Sequence, residues 1–331
     1  MLRILTLTTG LLLVAVLNDF FSISSWAQLP QSLSRQEDND HSYERLLAQT
    51  DPQDQPAASN AVSDESEKNL KKNPAYAAAM LNKAREKLLS YSSIRTHITE
   101  KVEIGPKPFI ITGSYLQAKD LKQGKDLKLR LEFQVQSQNS DKKPVGTLLE
   151  ICDGQVLWTE HTIKGESRVT RRDVQAILQQ AEINPQAQSN MLVAELGLGG
   201  LPGLLASIQK NMNFVSVAER TISGKSLTVL NGVWKDEFLT QWKGGDPAAP
   251  VELPAYVPDA VRIYLDQDTL FPRRIVYLKK NQDSLQSMVT LNFSKVTLNT
   301  PIPETEFTYE PPDGVFPVDI TKQYLQQLNK E

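Results

Sequence analysis

The sequence predicts an α+β protein: a large, curled antiparallel sheet with a helical cover. Three observations predict it. From residue 94 to residue 160, apolar and polar residues alternate in one segment after another, the mark of strands with one buried face. One amphipathic helical pattern precedes them, and a glycine-rich apolar stretch, Met191 to Met212, interrupts them before strands resume. Runs of strands around a helical interruption describe an α+β fold. A sheet of this many strands tends to curl, leaving a concave apolar face that something must cover.

The elements follow in order. Asn73 suits an N-cap and Pro74 the first helical position. Ala77, Met80, Leu81, Ala84 and Leu88 fall at helical spacing, with Lys83, Glu86 and Lys87 turned away. Ile94, Thr96, Ile98, Val102 and Ile104 alternate with Arg95, His97, Thr99, Lys101 and Glu103 as a first strand. Phe109 to Lys119 reads as a second. Leu127, Leu129, Leu131, Phe133 and Val135 form the apolar face of a third, opposed by Lys128, Arg130, Glu132 and Gln134. Leu148–Cys152 and Gln155–Glu160 flank Asp153-Gly154, a hairpin signal. Asp173 can cap a short helix through Glu182, and short helices with glycine corners are expected from Met191 to Met212. Phe214–Ile222 and Ser226–Trp234 are strands joined by Ser223-Gly224. After a proline-rich excursion, Pro247–Pro258, strands begin at Val261, Ile275 and Met288. The run Phe307–Val315 reads as the last strand, and a short polar helix can follow Asp319.

The chain of 331 residues carries a net charge of −3, which gives no nucleic-acid signal. Its start has signal-peptide grammar: Arg3, an apolar run Ile4–Leu17, and Ser25-Trp26-Ala27 as a small-x-small cleavage site. The alternative is an uncleaved anchor reaching Trp26, against which Asn18 and Asp19 interrupt the ~20 apolar residues a membrane helix needs. Residues 1–27 are therefore expected to be a signal peptide. Residues 28–72, polar and poor in large apolar side chains, are expected to be a disordered linker, and residues 73–331 the folded domain. Cys152 is the one cysteine, so no intramolecular disulfide can form, and the cleavage site offers no cysteine for lipid attachment.

The segments Ala77–Leu89, Ile94–Ile104, Gly113-Ser114-Tyr115-Leu116, Leu127–Phe133, Ile151-Cys152-Asp153-Gly154-Gln155-Val156-Leu157-Trp158 and Phe307-Thr308-Tyr309-Glu310-Pro311-Pro312-Asp313-Gly314-Val315 together resemble the LolA-like superfamily of periplasmic carriers, in order and spacing. The resemblance implies an incomplete β-barrel with a helical lid, here approximately 173–212, over a hydrophobic cavity. It implies a periplasmic protein that binds lipid or lipoprotein acyl chains, in some members between an inner-membrane exporter and an outer-membrane acceptor. RseB-like relatives instead act as envelope sensors that bind a membrane regulator. The carriers tie the lid with a basic residue; the positions open to that role here are Lys119, Lys122 and Arg130.

The cavity candidates are Leu129, Leu131, Phe133 and Trp158 on strands, and Leu196, Leu201 and Leu205 in the glycine-rich segment. For each alone, core is the ordinary meaning; together they form the apolar groove a fatty chain needs, since each buried CH₂ contributes ~0.8 kcal/mol. The segment Leu192–Ile208 itself could be lid, core helix or membrane-touching surface. The cluster Arg168, Arg171, Arg172 reads as a solvated face or as a docking patch for an acidic partner or anionic lipid. No enzyme, cofactor or metal is expected. His97 and His161 lie outside any metal motif, Cys152 supplies no zinc pair, and no Gly-x-Ser-x-Gly elbow occurs. A hydrolase using either histidine is the third reading.

Overall fold

The computed structural model describes residues 73–104, 108–119, 127–137, 144–163, 165–183, 196–240, 253–282 and 284–328. The expected signal peptide and linker lie outside them. Helix α1 (Pro74–Ser90) starts as its sequence dictates: Asn73 Oδ1 accepts from the Tyr76 N–H at 3.0 Å, and Ala77, Leu81, Ala84 and Leu88 are its buried stripe. Six strands follow: β1 (Ser93–Val102), β2 (Phe109–Lys119), β3 (Leu127–Ser137), β4 (Gly146–Cys152), β5 (Val156–Ile163) and β6 (Glu166–Asp173). Helices α2 (Val174–Ile183) and α3 (Leu196–Asn211) come next, then β7 (Met212–Ile222), β8 (Lys225–Trp234), the single turn α4 (Asp236–Thr240), β9 (Ala260–Asp266), β10 (Pro272–Asn281) and β11 (Ser284–Leu298). A 3₁₀ turn at Glu304–Phe307, β12 (Val318–Asp319) and α5 (Thr321–Leu328) complete the chain.

All strands of the described residues form one sheet in the order β12-β6-β5-β4-β3-β2-β1-β11-β10-β9-β8-β7, open between its ends. Every pairing is antiparallel except that of β12 with β6. Helix α3 packs against β3 and β4, and also against the far edge strand β7. In the sheet order β3 and β7 are seven steps apart, which in a flat sheet is about 34 Å. Helix α3 runs straight into β7 at Asn211–Met212, and α1 packs on both α3 and β7, so strands far apart in the sheet order meet one pair of packed helices, as a curled sheet allows. The expected curled α+β fold, a half-barrel with a helical cover, is therefore the observed one.

The register explains the curl's apolar interior. Leu129, Leu131, Phe133 and Val135 stand opposite Gln117, Tyr115, Gly113 and Ile111 of β2, which stand opposite Ile94, Thr96, Ile98 and Glu100 of β1. The inner face continues through Leu291 and Val289, Ile275 and Tyr277, Ile263 and Val261, to Leu230 and Phe214. Helices α1 and α3 complete this core with Leu81, Leu88, Leu201, Leu205 and Ile208. Gly113 is required where it stands: a Cβ there would lie 1.9 Å from the Glu132 carbonyl oxygen and 2.5 Å from the Phe133 ring. A second apolar cluster, including Val229, Tyr264, Val276 and Leu278, lies on the outer face of β8–β10.

Two expectations change. The segment Phe307–Val315 is not a strand. It follows the 3₁₀ turn as an irregular strap across the outer face of β3–β5: Lys128 Nζ meets Glu304 at 2.6 Å, Arg130 donates to the Glu306 carbonyl at 3.3 Å, and Tyr309 Oη donates to Glu160 at 2.9 Å. Its Pro311-Pro312 pair lacks the N–H groups a ladder needs. The basic cluster, in turn, belongs to a strand, β6, that the sequence reading passed over because Glu166–Asp173 has almost no apolar alternation. Its members part company. Arg168 is exposed, Arg171 pairs with Asp319 at 3.1 Å, and Arg172 is buried with Glu150 at 3.7 Å and the Tyr324 ring at 5.2 Å.

Candidate functional site

The point where the cover meets the sheet is built on glycine and tyrosine. Helix α3 is two helical pieces joined at Gly200, whose φ of 59° and ψ of −163° are a combination essentially confined to glycine. Pro202 suits the first turn of the second piece, where backbone N–H groups have no helical partner. One of those groups, Leu201 N–H, donates to Tyr115 Oη at 3.0 Å, and Tyr115 Oη–H donates to Gln117 Oε1 at 2.5 Å. A Cβ on Gly200 would sit 2.7 Å from each of those two oxygens. Both Tyr115 and Gln117 are buried, and burial pushes the Tyr115 phenol well above its ordinary value, so it stays protonated and able to donate.

The predicted site residues divide between two faces. Leu129, Leu131 and Phe133 lie on the concave face, 0%, 1% and 1% exposed, and Leu201 and Leu205 of α3 belong to the same apolar cluster. The Leu196 side chain lies outside the described residues. Trp158 stands on the outer face: its neighbour Leu157 pairs with Cys152 and points inward, so Trp158 points out and its ring lies 5.5 Å from that of Tyr309 in the strap. The Asp153-Gly154 turn sets this phase, with Asp153 Oδ1 accepting from the N–H groups of Gln155 and Val156 at 2.8 Å.

Of the three basic tether positions, Lys122 lies outside the described residues. Arg130 is on the outer face, bonded to Glu306 and to Glu132 at 3.3 Å, so it ties down the strap. Lys119 ends β2, on the same face as Gln117 and half-buried. The residues that hold α3 at its corner are instead the uncharged Tyr115 and Gln117. Tyr115 falls within the Gly113–Leu116 motif, but nothing in the sequence tells a core tyrosine from one that caps a distant helix.

Glu100 is the residue sequence reasoning missed. It sits between Ile98 and Val102 on β1, opposite Ile111 of β2 and Leu291 of β11, and is 1% exposed. Its Oε1 has no hydrogen-bond partner, and burial pushes its carboxyl up to about 8. Tyr277 Oη, on the same inner face two strands away, is equally buried and also has no partner. Burial, and then the nearby Glu100, push its phenol up. The signal was available: the period of two that makes Ile98 and Val102 core residues makes Glu100 one as well.

Nucleophilic chemistry finds little support in the arrangement. Burial pushes the Cys152 thiol up to about 12, away from the reactive thiolate. His97 and His161 lie on β1 and β5, four steps apart in the sheet and on opposite faces. Among the described residues no helix is long and apolar enough to cross a membrane.

No family model matches the chain, and no curated protein matches it. Solved structures show partial likenesses. LprF from Mycobacterium bovis matches at 14% identity and a TM-score of 0.39, over 73% of this chain and 99% of that one. The Mycobacterium tuberculosis lipoprotein LppX matches at 11% identity and a TM-score of 0.35, over 69% and 97%. In the Pseudomonas aeruginosa MucA/MucB complex the match is 14% identical with a TM-score of 0.35, and spans 71% of this chain but 62% of that one.

Proposed function

We propose that this protein is an exported carrier that holds the acyl chains of a lipid or lipoprotein between its curled sheet and helix α3, without chemical turnover. The observation that carries the reading is the corner at Gly200. The concave face is largely apolar from β3 to β8, and its cover is a helix broken at a glycine and hung from the sheet by Tyr115. A cover that swings needs a segment of low local stability beside a rigid frame. Acyl chains need the apolar face the cover would uncover, and the LolA-like order of motifs in the sequence supports the same reading. The domain is 73–331, released by cleavage after Ala27 and preceded by the 28–72 linker, and it works in the periplasm. An inner-membrane exporter and an outer-membrane acceptor are the partners a carrier of this kind would need.

Native mass spectrometry of gently purified protein, followed by uptake of a fluorescent acyl probe after delipidation, tests this. Co-purifying lipid and saturable uptake are expected. No bound lipid together with no uptake would overturn the reading. An RseB-like sensor would take the same ligand but retain a membrane regulator as a stable partner, which a pull-down from envelope extract would recover.

A further inference from the structure

Glu100 and Tyr277 are difficult to explain as parts of a packed core. Both lie on the concave face, the Glu100 side chain among Ile98, Val102, Ile111 and Leu291, and Tyr277 between Val289 and Val261 of the neighbouring strands. Each is at most 1% exposed, and each has a polar atom with no hydrogen-bond partner. Leaving such atoms unpaired destabilises a protein, and apolar side chains of similar size would remove the cost. Two unpaired groups on one face of the sheet, Glu100 opposite Leu291 and Tyr277 opposite Val289 on the single strand β11 that separates them, point to a shared partner from outside the chain.

We propose that Glu100 and Tyr277 form a recognition point for a hydroxyl group carried along an acyl chain, so that the carrier selects hydroxylated chains over plain ones. The inference rests on the acyl-carrier reading above. A hydroxyl on the chain meets both needs at once: its O–H donates to Glu100 Oε1 while its lone pairs accept from the Tyr277 Oη–H. A methylene meets neither. An ester carbonyl can accept from the Tyr277 and Glu100 protons but has none to give, so the accepting oxygen of the Glu100 carboxyl stays unpaired, and a cationic amine has no lone pair for the Tyr277 proton. Burial keeps Glu100 uncharged near neutrality, so the chain can enter without an ion being desolvated beside it. The discrimination follows from the general asymmetry of polar sites: one built to hydrogen-bond a substrate hydroxyl rejects the analogue lacking it, because its own groups are then left unpaired.

The test is competitive displacement of a bound fluorescent acyl probe by octadecanoic acid and by a positional series of monohydroxylated octadecanoic acids. At least one hydroxylated member is expected to bind the wild type about 10-fold more tightly than octadecanoic acid. Glu100→Leu and Tyr277→Phe should each bring that ratio to about one, whereas Glu100→Gln, which keeps a donor and an acceptor, should retain a preference. Glu100→Leu should also raise the urea midpoint, since it removes an unpaired group from the interior. A ratio of one across the whole series in the wild type, with octadecanoic acid bound, overturns the recognition point and leaves the carrier standing; that is also the result if only water serves the two groups. Binding of none of the acids overturns both. A lowered midpoint for Glu100→Leu would overturn the proposal as well, by showing that the carboxyl serves the fold.

Discussion

Tyr115→Phe is expected to loosen the cover without disturbing the shape of the core. The substitution removes one oxygen and leaves the ring in place, so no cavity contribution arises. It removes two hydrogen bonds: the one Leu201 N–H makes to Tyr115 Oη at 3.0 Å, and the one Tyr115 makes to Gln117 Oε1 at 2.5 Å. Gln117 Nε2 already has no partner, so the variant leaves both polar ends of a buried side chain unpaired, together with a helix N-terminal N–H. Orphaned buried groups cost about 1–3 kcal/mol each, and partial relaxation of the corner offsets some of this. A net loss of roughly 2 kcal/mol is expected, concentrated on the closed position of α3. If opening of α3 gates exit, that loss speeds release of a bound acyl probe by about 30-fold. Stopped-flow release measures the rate, and amide hydrogen exchange over Leu201–Ser207 measures opening of the second helical piece directly. Unchanged release together with unchanged exchange would refute the claim that Tyr115 holds the cover.

Gly200→Ala acts on the same corner by a different route. Its backbone conformation disfavours any side chain by about 1–3 kcal/mol, and the added Cβ would crowd Tyr115 and Gln117 at 2.7 Å; a fall in urea midpoint is expected, less than additive with Tyr115→Phe because the two share partners. Glu100 should make stability depend on pH. Its folded-state value of about 8 lies above its ordinary 4.5, so its contribution is fully present below about 4.5 and is lost as pH rises toward 8. At about 1.4 kcal/mol per pH unit this comes to roughly 5 kcal/mol across the window. Urea midpoints of Glu100→Gln should lack this fall, and parallel profiles for variant and wild type would exclude it. Trp158→Ala should destabilise the strap and leave acyl-probe affinity within about twofold, because the side chain stands on the outer face beside Tyr309. Leu205→Ala should change probe binding, since Leu205 belongs to the inner core.

Local order was legible wherever a residue's role depends on its neighbours in the chain. Asn73 and Pro74 start α1, Asp153-Gly154 turns β4 into β5, Ser223-Gly224 turns β7 into β8 through two positive φ angles, and Asp173 Oδ1 accepts from Ala176 N–H at the start of α2. The concave face was legible because a period of two is set by the pleat. Strand β6 was not, since a strand of Arg, Thr and Glu carries no such pattern. The strap was misread because aromatic and β-branched residues at Phe307–Tyr309 look like a strand until the following prolines are counted against the ladder.

From the sequence alone came the strand phases, the caps, the turns and the break in the cover, all of which depend on backbone preferences acting over a few residues. The tertiary structure decided which side of the sheet each phase faces and which distant groups meet. It put Trp158 under the strap and Arg130 beside Glu306, hung Leu201 from Tyr115 across 86 residues of chain, and left Glu100 and Tyr277 unpaired in one apolar interior. Register and curl bring those groups together, and both are properties of the whole sheet: a side chain's alternation says that it turns inward, while the strands beside it determine what it finds there.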